Sequence, residues 1–163
     1  MSRVESVVLT RARWIAPFAA VMVLWGAVSA VAKSATVTTQ KTKLGKVLAA
    51  SNGQSLYMFN ADRPDKSNCT GSCVNTWLPL LSSGRPVAAA GSGVNAKLLG
   101  TIKRTNHTLQ VTYNGHPLYL FAKDSKPGQI NGESVKQFGG HWYVVNTAGK
   151  EVKPKSSGLP QGY

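Results

Sequence analysis

Asn52-Gly53-Gln54-Ser55-Leu56-Tyr57-Met58-Phe59-Asn60-Ala61-Asp62 returns 62 residues later as Asn114-Gly115-His116-Pro117-Leu118-Tyr119-Leu120-Phe121-Ala122-Lys123-Asp124. Six of the eleven positions are identical (Asn, Gly, Leu, Tyr, Phe and Asp), and two of those six are aromatic. Chance does not supply agreement of that kind. Each copy runs on to a tryptophan, Trp77 in the first and Trp142 in the second. The chain therefore carries a duplicated supersecondary unit.

Asn-Gly between apolar runs is the strongest short-range hairpin signal, because a type I′ turn needs positive φ at both central residues. With a two-residue turn, the second copy pairs Tyr113 with His116, Val111 with Leu118 and Leu109 with Leu120 on one face. Thr112 with Pro117, Gln110 with Tyr119, and Thr108 with Phe121 fall on the other. Counted the same way, the first copy puts Val47, Ala49, Leu56 and Met58 on an aliphatic face. Leu48, Ala50, Tyr57 and Phe59 lie opposite. Side chains alternate across a strand, so the partition depends only on turn length. Pro117 falls in a non-hydrogen-bonded pair, where its missing N–H costs the ladder nothing.

Working outward, Trp142 to Val145 reads as a strand after the Gly139-Gly140 turn. Val74 to Leu81 reads as an extended segment interrupted by Pro79. Asn95 to Leu99 is compatible with one helical turn, and nothing else has helical periodicity. The expected class is all-β: a pseudo-symmetric small barrel or sandwich built from two repeated β-hairpin units. The expected organisation is an N-terminal segment at 33–44 and a single repeat domain at 45–152. Within that domain, unit one is 45–81, a Ser/Gly/Ala-rich linker is 82–100, and unit two is 101–152. A flexible tail rich in Pro and Gly is expected at 153–163.

Residues 1–32 read as a secretory signal peptide. Arg3, Arg11 and Arg13 precede an uncharged stretch from Trp14 to Ala32, which closes in small residues. Ala30-Val31-Ala32 fits a cleavage site, with Val28-Ser29-Ala30 as a second choice, and the alternative is an uncleaved membrane anchor. Export follows, to the periplasm or the cell exterior in association with the envelope. The 163-residue chain carries 19 Lys+Arg against 6 Asp+Glu, a net charge of +13. Such a surface favours anionic envelope polymers as partners. It also suits plain solubility, or an acidic habitat where carboxylates are of little use. No nucleic-acid partner is expected, since no basic run interleaved with aromatics marks a groove.

The paired Tyr-x-Phe-x-x-Asp motifs resemble those of bacterial secreted-repeat proteins, a predicted lipoprotein family with a Tyr-x-(Phe/Trp/Tyr)-x-x-Asp pattern. Cys69-Thr70-Gly71-Ser72-Cys73 followed by Trp77-Leu78-Pro79 is similar to that family's Cys-x-Gly-x-Cys…Trp-Pro-Pro stretch. Phe138-Gly139-Gly140-His141-Trp142-Tyr143-Val144-Val145 is similar to its closing strand. The resemblance covers about Gly45 to Val152 and implies export, a repeat and an envelope setting. It implies no established activity and no catalytic residue. The chain departs from the pattern in lacking the lipidated Cys that many members carry, and in having Leu78 where a first proline is usual.

The candidate site residues each have two readings. Cys69 and Cys73 in an exported protein read as a local disulfide, worth about 2 kcal/mol for so short a loop. The sharper alternative is a redox-active or metal-binding dithiol. Tyr57, Phe59, Tyr119 and Phe121 read as strand packing residues, or as a shared stacking surface for a ring-bearing or sugar ligand. Asp62 and Asp124 read as acceptors for turn N–H groups, with a hard-metal site as the alternative. His107, His116 and His141 all sit near turns and make a metal site only if they converge. No nucleophile elbow, triad order, paired-carboxylate signature or phosphate loop is present, so no catalytic residue and no cofactor are expected. The function read from these residues is a non-catalytic module that binds a small molecule or an anionic envelope polymer. The alternative is a redox or metal-binding envelope protein using Cys69, Cys73 and the histidines.

Overall fold

A computed structural model describes residues 33–153, so the expected signal peptide and the expected tail beyond Lys153 lie outside the described residues. The chain runs β1 (Thr36–Thr42), β2 (Gly45–Ala50), β3 (Tyr57–Phe59), a single helical turn α1 (Cys73–Thr76) and β4 (Trp77–Pro79). It continues with β5 (Val87–Ala88), a 3₁₀ turn at Ala96–Leu98, β6 (Leu99–Lys103), β7 (Leu109–Tyr113) and β8 (His116–Pro117). β9 (Tyr119–Phe121), β10 (Lys136–Gln137) and β11 (Gly140–Val144) complete it. The fold is all-β, in three sheets ordered β2-β1-β5, β10-β11-β3-β9-β4 and β6-β7-β8. Val74 to Leu81 is not extended from its start. Its first residues form α1, and the strand begins only at Trp77.

The repeat is visible in the elements: the β1–β2 hairpin, β3 and β4 correspond to the β6–β7 hairpin, β9 and β11. β1 lies before Gly45 and β6 begins at Leu99, so each copy starts earlier than the hairpin pattern alone suggests. The copies do not fold side by side. β3 of the first pairs with β11 of the second, through Phe59–Trp142 and Tyr57–Val144. β4 of the first pairs with β9 of the second, through Trp77–Phe121 and Pro79–Tyr119. β3 and β9, the corresponding strands of the two copies, meet at the single pair Tyr57–Tyr119. Each copy thus gives its closing strand to the other.

Equivalent backbone bonds lock both exchanges. Leu48 N–H donates to Val145 O (2.7 Å), and Val145 N–H donates to Leu56 O (3.2 Å). In the other half, Val111 N–H donates to Leu80 O (2.8 Å), and Leu80 N–H donates to Leu118 O (2.9 Å). In each hairpin a residue of the opposite copy is inserted into one backbone bond, while Leu56 N–H to Leu48 O and Leu118 N–H to Val111 O stay direct (both 2.9 Å). The expected pairings of Leu109 with Leu120 and of Gln110 with Tyr119 do not form. Gln110 bridges to Leu81 instead, and β9 turns away to β4.

The second turn has the expected register, with Tyr113 opposite His116 and Thr112 opposite Pro117. Asn114 and Gly115 both take positive φ, at 51° and 77°. The first turn does not follow this pattern. Ala50 N–H donates to Gln54 O (2.9 Å), which makes a three-residue loop of Ser51, Asn52 and Gly53, with only Gly53 at positive φ (83°). Ala49 then faces Ser55. That one-residue difference turns β2 over. Leu48 and Ala50, not Val47 and Ala49, join Leu56 and Met58, while Val47 joins Tyr57 and Phe59.

Two cores result, one on each face of the central sheet. The aliphatic core gathers Val37, Leu48, Leu56, Met58, Leu80, Leu99, Val111, Leu118 and Val145 around Tyr113. The aromatic core gathers Tyr57, Phe59, Trp77, Tyr119, Phe121 and Trp142 with both cysteines, Val47, Ile130 and Val144. The separation of aliphatic from ring-bearing side chains at 56–59 and 118–121 is therefore real, and both faces are interior.

Candidate functional site

The motif residues hold the two copies together. Tyr57 donates its hydroxyl to Asp124 Oδ2 at 2.5 Å, and Tyr119 donates to Asp62 Oδ2 at 2.7 Å. The tyrosine of each copy is thus bonded to the aspartate of the other. Each carboxylate also fixes the loop that follows it, Asp62 through Asn68 N–H (2.7 Å) and Asp124 through Asn131 N–H (2.9 Å). Burial, and then the neighbouring carboxylate, push both phenols well above the ordinary tyrosine range. Burial raises Asp62 to about 6 against the pull of Asn68 N–H, the Tyr119 hydroxyl and the Arg104 charge.

The rings stack in the order Phe59, Trp142, Trp77, Phe121, with centroids 4.2, 3.9 and 4.3 Å apart. Tyr57 meets Trp77 edge-on at 5.3 Å, and Tyr119 meets Trp142 edge-on at 5.0 Å. Tyr57, Phe59, Tyr119 and Phe121 are at most 4% exposed. These four rings offer no face to a ligand from solvent.

Cys69 and Cys73 are joined by a disulfide, and both are buried. His107 sits exposed at the β6–β7 turn, with φ of 65°. His116 is half-buried on β8, and His141 stacks on Tyr143 across a 6.1 Å centroid distance. Among the described residues, no three or more His, Cys, Asp or Glu side chains are grouped to hold a metal ion.

An open groove lies beside the disulfide loop. It is about 350 Å³ in volume and runs between that loop, β4 and the β6–β7 turn. Its walls are apolar on the β4 side, with Val74, Leu78, Pro79 and Leu81, and polar on the other, with Thr70, Arg104 and Asn106. Leu78 and Leu81, which are 42% and 48% exposed, both line this groove. A smaller hollow of about 160 Å³ adjoins it, with Lys66, Lys103 and Arg104 on its walls. Arg104 is the post between the two. Its guanidinium donates to Ser67 Oγ (3.0 Å), Cys69 O (2.7 Å) and Gln110 Oε1. Ser67 Oγ in turn lies 2.7 Å from the Tyr119 hydroxyl. The groove wall is therefore tied directly to the cross-copy Tyr119–Asp62 bond.

Sequence reasoning missed this groove. Arg104 stands outside every motif, and nothing local places it under the disulfide loop. Leu78 alone carried a signal, as the leucine standing where a proline is usual.

The fold defines a class: an all-β domain made of two copies that exchange strands. A family model described as "secreted repeat of unknown function" matches the chain twice, over residues 38–80 and 100–146. These spans bracket the two copies seen in the structure and together exceed half the chain, so the protein belongs to that secreted-repeat family. No curated protein and no solved structure matches it.

Proposed function

We propose that this protein is a non-catalytic component of the cell envelope, periplasmic or extracellular, that binds anionic envelope polymers. One observation carries the reading: the fold sorts its charges. Every lysine from Lys33 to Lys153 is exposed, as are Arg63 and Arg85, and only Arg104 is partly withdrawn. Of the carboxylates in the same span, Asp65 alone is exposed. Asp124 is 1% exposed and bonded to Tyr57, and Asp62 is bonded to Tyr119. Glu133 accepts Val144 N–H at 2.8 Å, and Glu151 pairs with Lys153. Asp62, Asp124 and Glu133 serve the interior, and the cations face outward with only Asp65 and Glu151 among them. A positive field of this kind raises the local concentration of polyanions and is screened within a Debye length, about 10 Å at 0.1 M salt.

The test is retention on isolated envelopes and on a long-chain polyphosphate resin as salt is raised from about 0.05 to about 0.5 M. Retention at low salt and release at high salt are expected. Replacing Lys41, Lys43 and Lys46 by Glu, at the exposed β1–β2 turn, should move release to lower salt. Failure to bind at low salt, or binding that salt does not weaken, would refute the reading.

A further inference from the structure

Among the described residues the two copies do not end alike, and the outer edge of β4 differs from that of β11. On the second copy's side, the outer edge of β11 is covered by residues 134–137, including β10, along Gly140–Trp142, and by the chain's own continuation at Val144 and Val145. Val152 N–H donates to Val144 O at 2.9 Å, Glu151 bridges Val145, and Lys153 Nζ lies 5.5 Å above the Tyr143 ring. Val152 packs against the aromatic core. The first copy's equivalent of Tyr143-Val144-Val145 is Leu78-Pro79-Leu80, placed by the same strand exchange. There, β4 is the last strand of its sheet. No described segment lies where Glu151–Lys153 lie on the other side. The groove lined by Val74, Leu78, Pro79 and Leu81 occupies that place.

We infer that this groove is a docking site for an extended peptide, laid along β4 as Glu151–Lys153 lie along β11. Its anchor is an aliphatic side chain and its flanking residues are acidic. Three observations fix the occupant. The symmetry-related position is filled by extended chain with an aliphatic side chain, so the shape accepts a strand. The contact on that side uses the strand carbonyl as acceptor, and Pro79 keeps its carbonyl while lacking the N–H. The wall next to the groove carries Arg104, and in the adjoining hollow Lys66 and Lys103 outnumber the one carboxylate, Asp65, so acidic flanks complement the net positive charge. Pro79 also argues against a second copy adding its own β4, because a proline edge cannot sustain a continuous ladder. Strand addition of this kind takes affinity from main-chain bonds and selectivity from side-chain pockets.

The probe is the capped peptide acetyl-Gly-Asp-Val-Asp-Gly-amide, titrated into the ¹⁵N-labelled full-length protein. Shifts at Val74, Leu78 and Leu81 are expected. An N-methyl-valine analogue, which lacks the N–H meant for Pro79 O, should bind about tenfold more weakly. Leu78→Asp should abolish the shifts while leaving salt-reversible retention on polyphosphate unchanged, which separates this site from the charged surface proposed above. The inference is overturned if the peptide moves only lysine-neighbouring amides, or if N-methylation has no effect. It is equally overturned if decyl phosphate shifts these residues and the peptide does not, or if sedimentation shows a dimer that Leu78→Asp dissociates.

Discussion

The hydroxyl of Tyr57 and the carboxylate of Asp124 form the smallest unit on which the fold turns. Asp124 accepts two donors, so Tyr57→Phe leaves a buried carboxylate with Asn131 N–H alone. A loss of about 1–3 kcal/mol in urea denaturation is expected. A double-mutant cycle with Asp124→Asn should return a non-zero coupling, and strict additivity would contradict the bond. Asp62 gives a pH signature. Its folded pKa, about 6, lies above the ordinary 3.8, so between those values the folded state binds more protons than the unfolded. The stability it contributes is complete below about pH 4 and is lost as pH rises through about 6. Glu133, also raised by burial, acts in the same direction. Wild type should therefore gain roughly 1–3 kcal/mol on acidification relative to Asp62→Asn, and identical pH profiles for the two would refute it. The motif was legible as Tyr, Phe and Asp at fixed spacing. Its purpose was not, because each tyrosine reaches an aspartate belonging to the other copy.

At the level of strands and turns, two identical Asn-Gly dipeptides make different turns. The closing residues from the opposite copy, Val145 and Leu80, seize Leu48/Leu56 and Val111/Leu118. The loop between the first pair is one residue longer, and Gly53 absorbs the surplus in a left-handed conformation. Hairpins were readable from the sequence. Turn length was not, since residues some ninety positions away in one case and about thirty in the other decide it. The aromatic stack is sensitive in a way the pattern also concealed. A Cβ at Gly132 would sit 2.6 Å from Trp77 Cη2 and 3.1 Å from Phe121. Gly132→Ala should cost about 1–3 kcal/mol and diminish the near-ultraviolet circular dichroism of the tryptophans. An unchanged spectrum and midpoint would show that the stack yields freely.

For the molecule as a whole, duplication was plain in the sequence while interlocking was not, because periodicity records what each copy contains and not which copy it pairs with. Charge followed the same rule: composition showed the excess, and only the hydrogen bonds showed Asp62, Asp124 and Glu133 withdrawn from the surface. Strand exchange predicts that neither half is self-sufficient. Fragments 33–81 and 99–153 should each lack a cooperative thermal transition when purified alone, and should regain one as an equimolar mixture. Cooperative melting of either fragment as a monomer would contradict the exchange.

Exchanged strands also bear on ancestry. A forebear with only one copy would have found its missing strand in a twin, and so would have existed as a homodimer that came apart on dilution. Fusing the twins in tandem made that encounter independent of concentration. It also released each half from having to match itself, and only the half with Cys69 and Cys73 gained a crosslink, while only the other is capped by Val152.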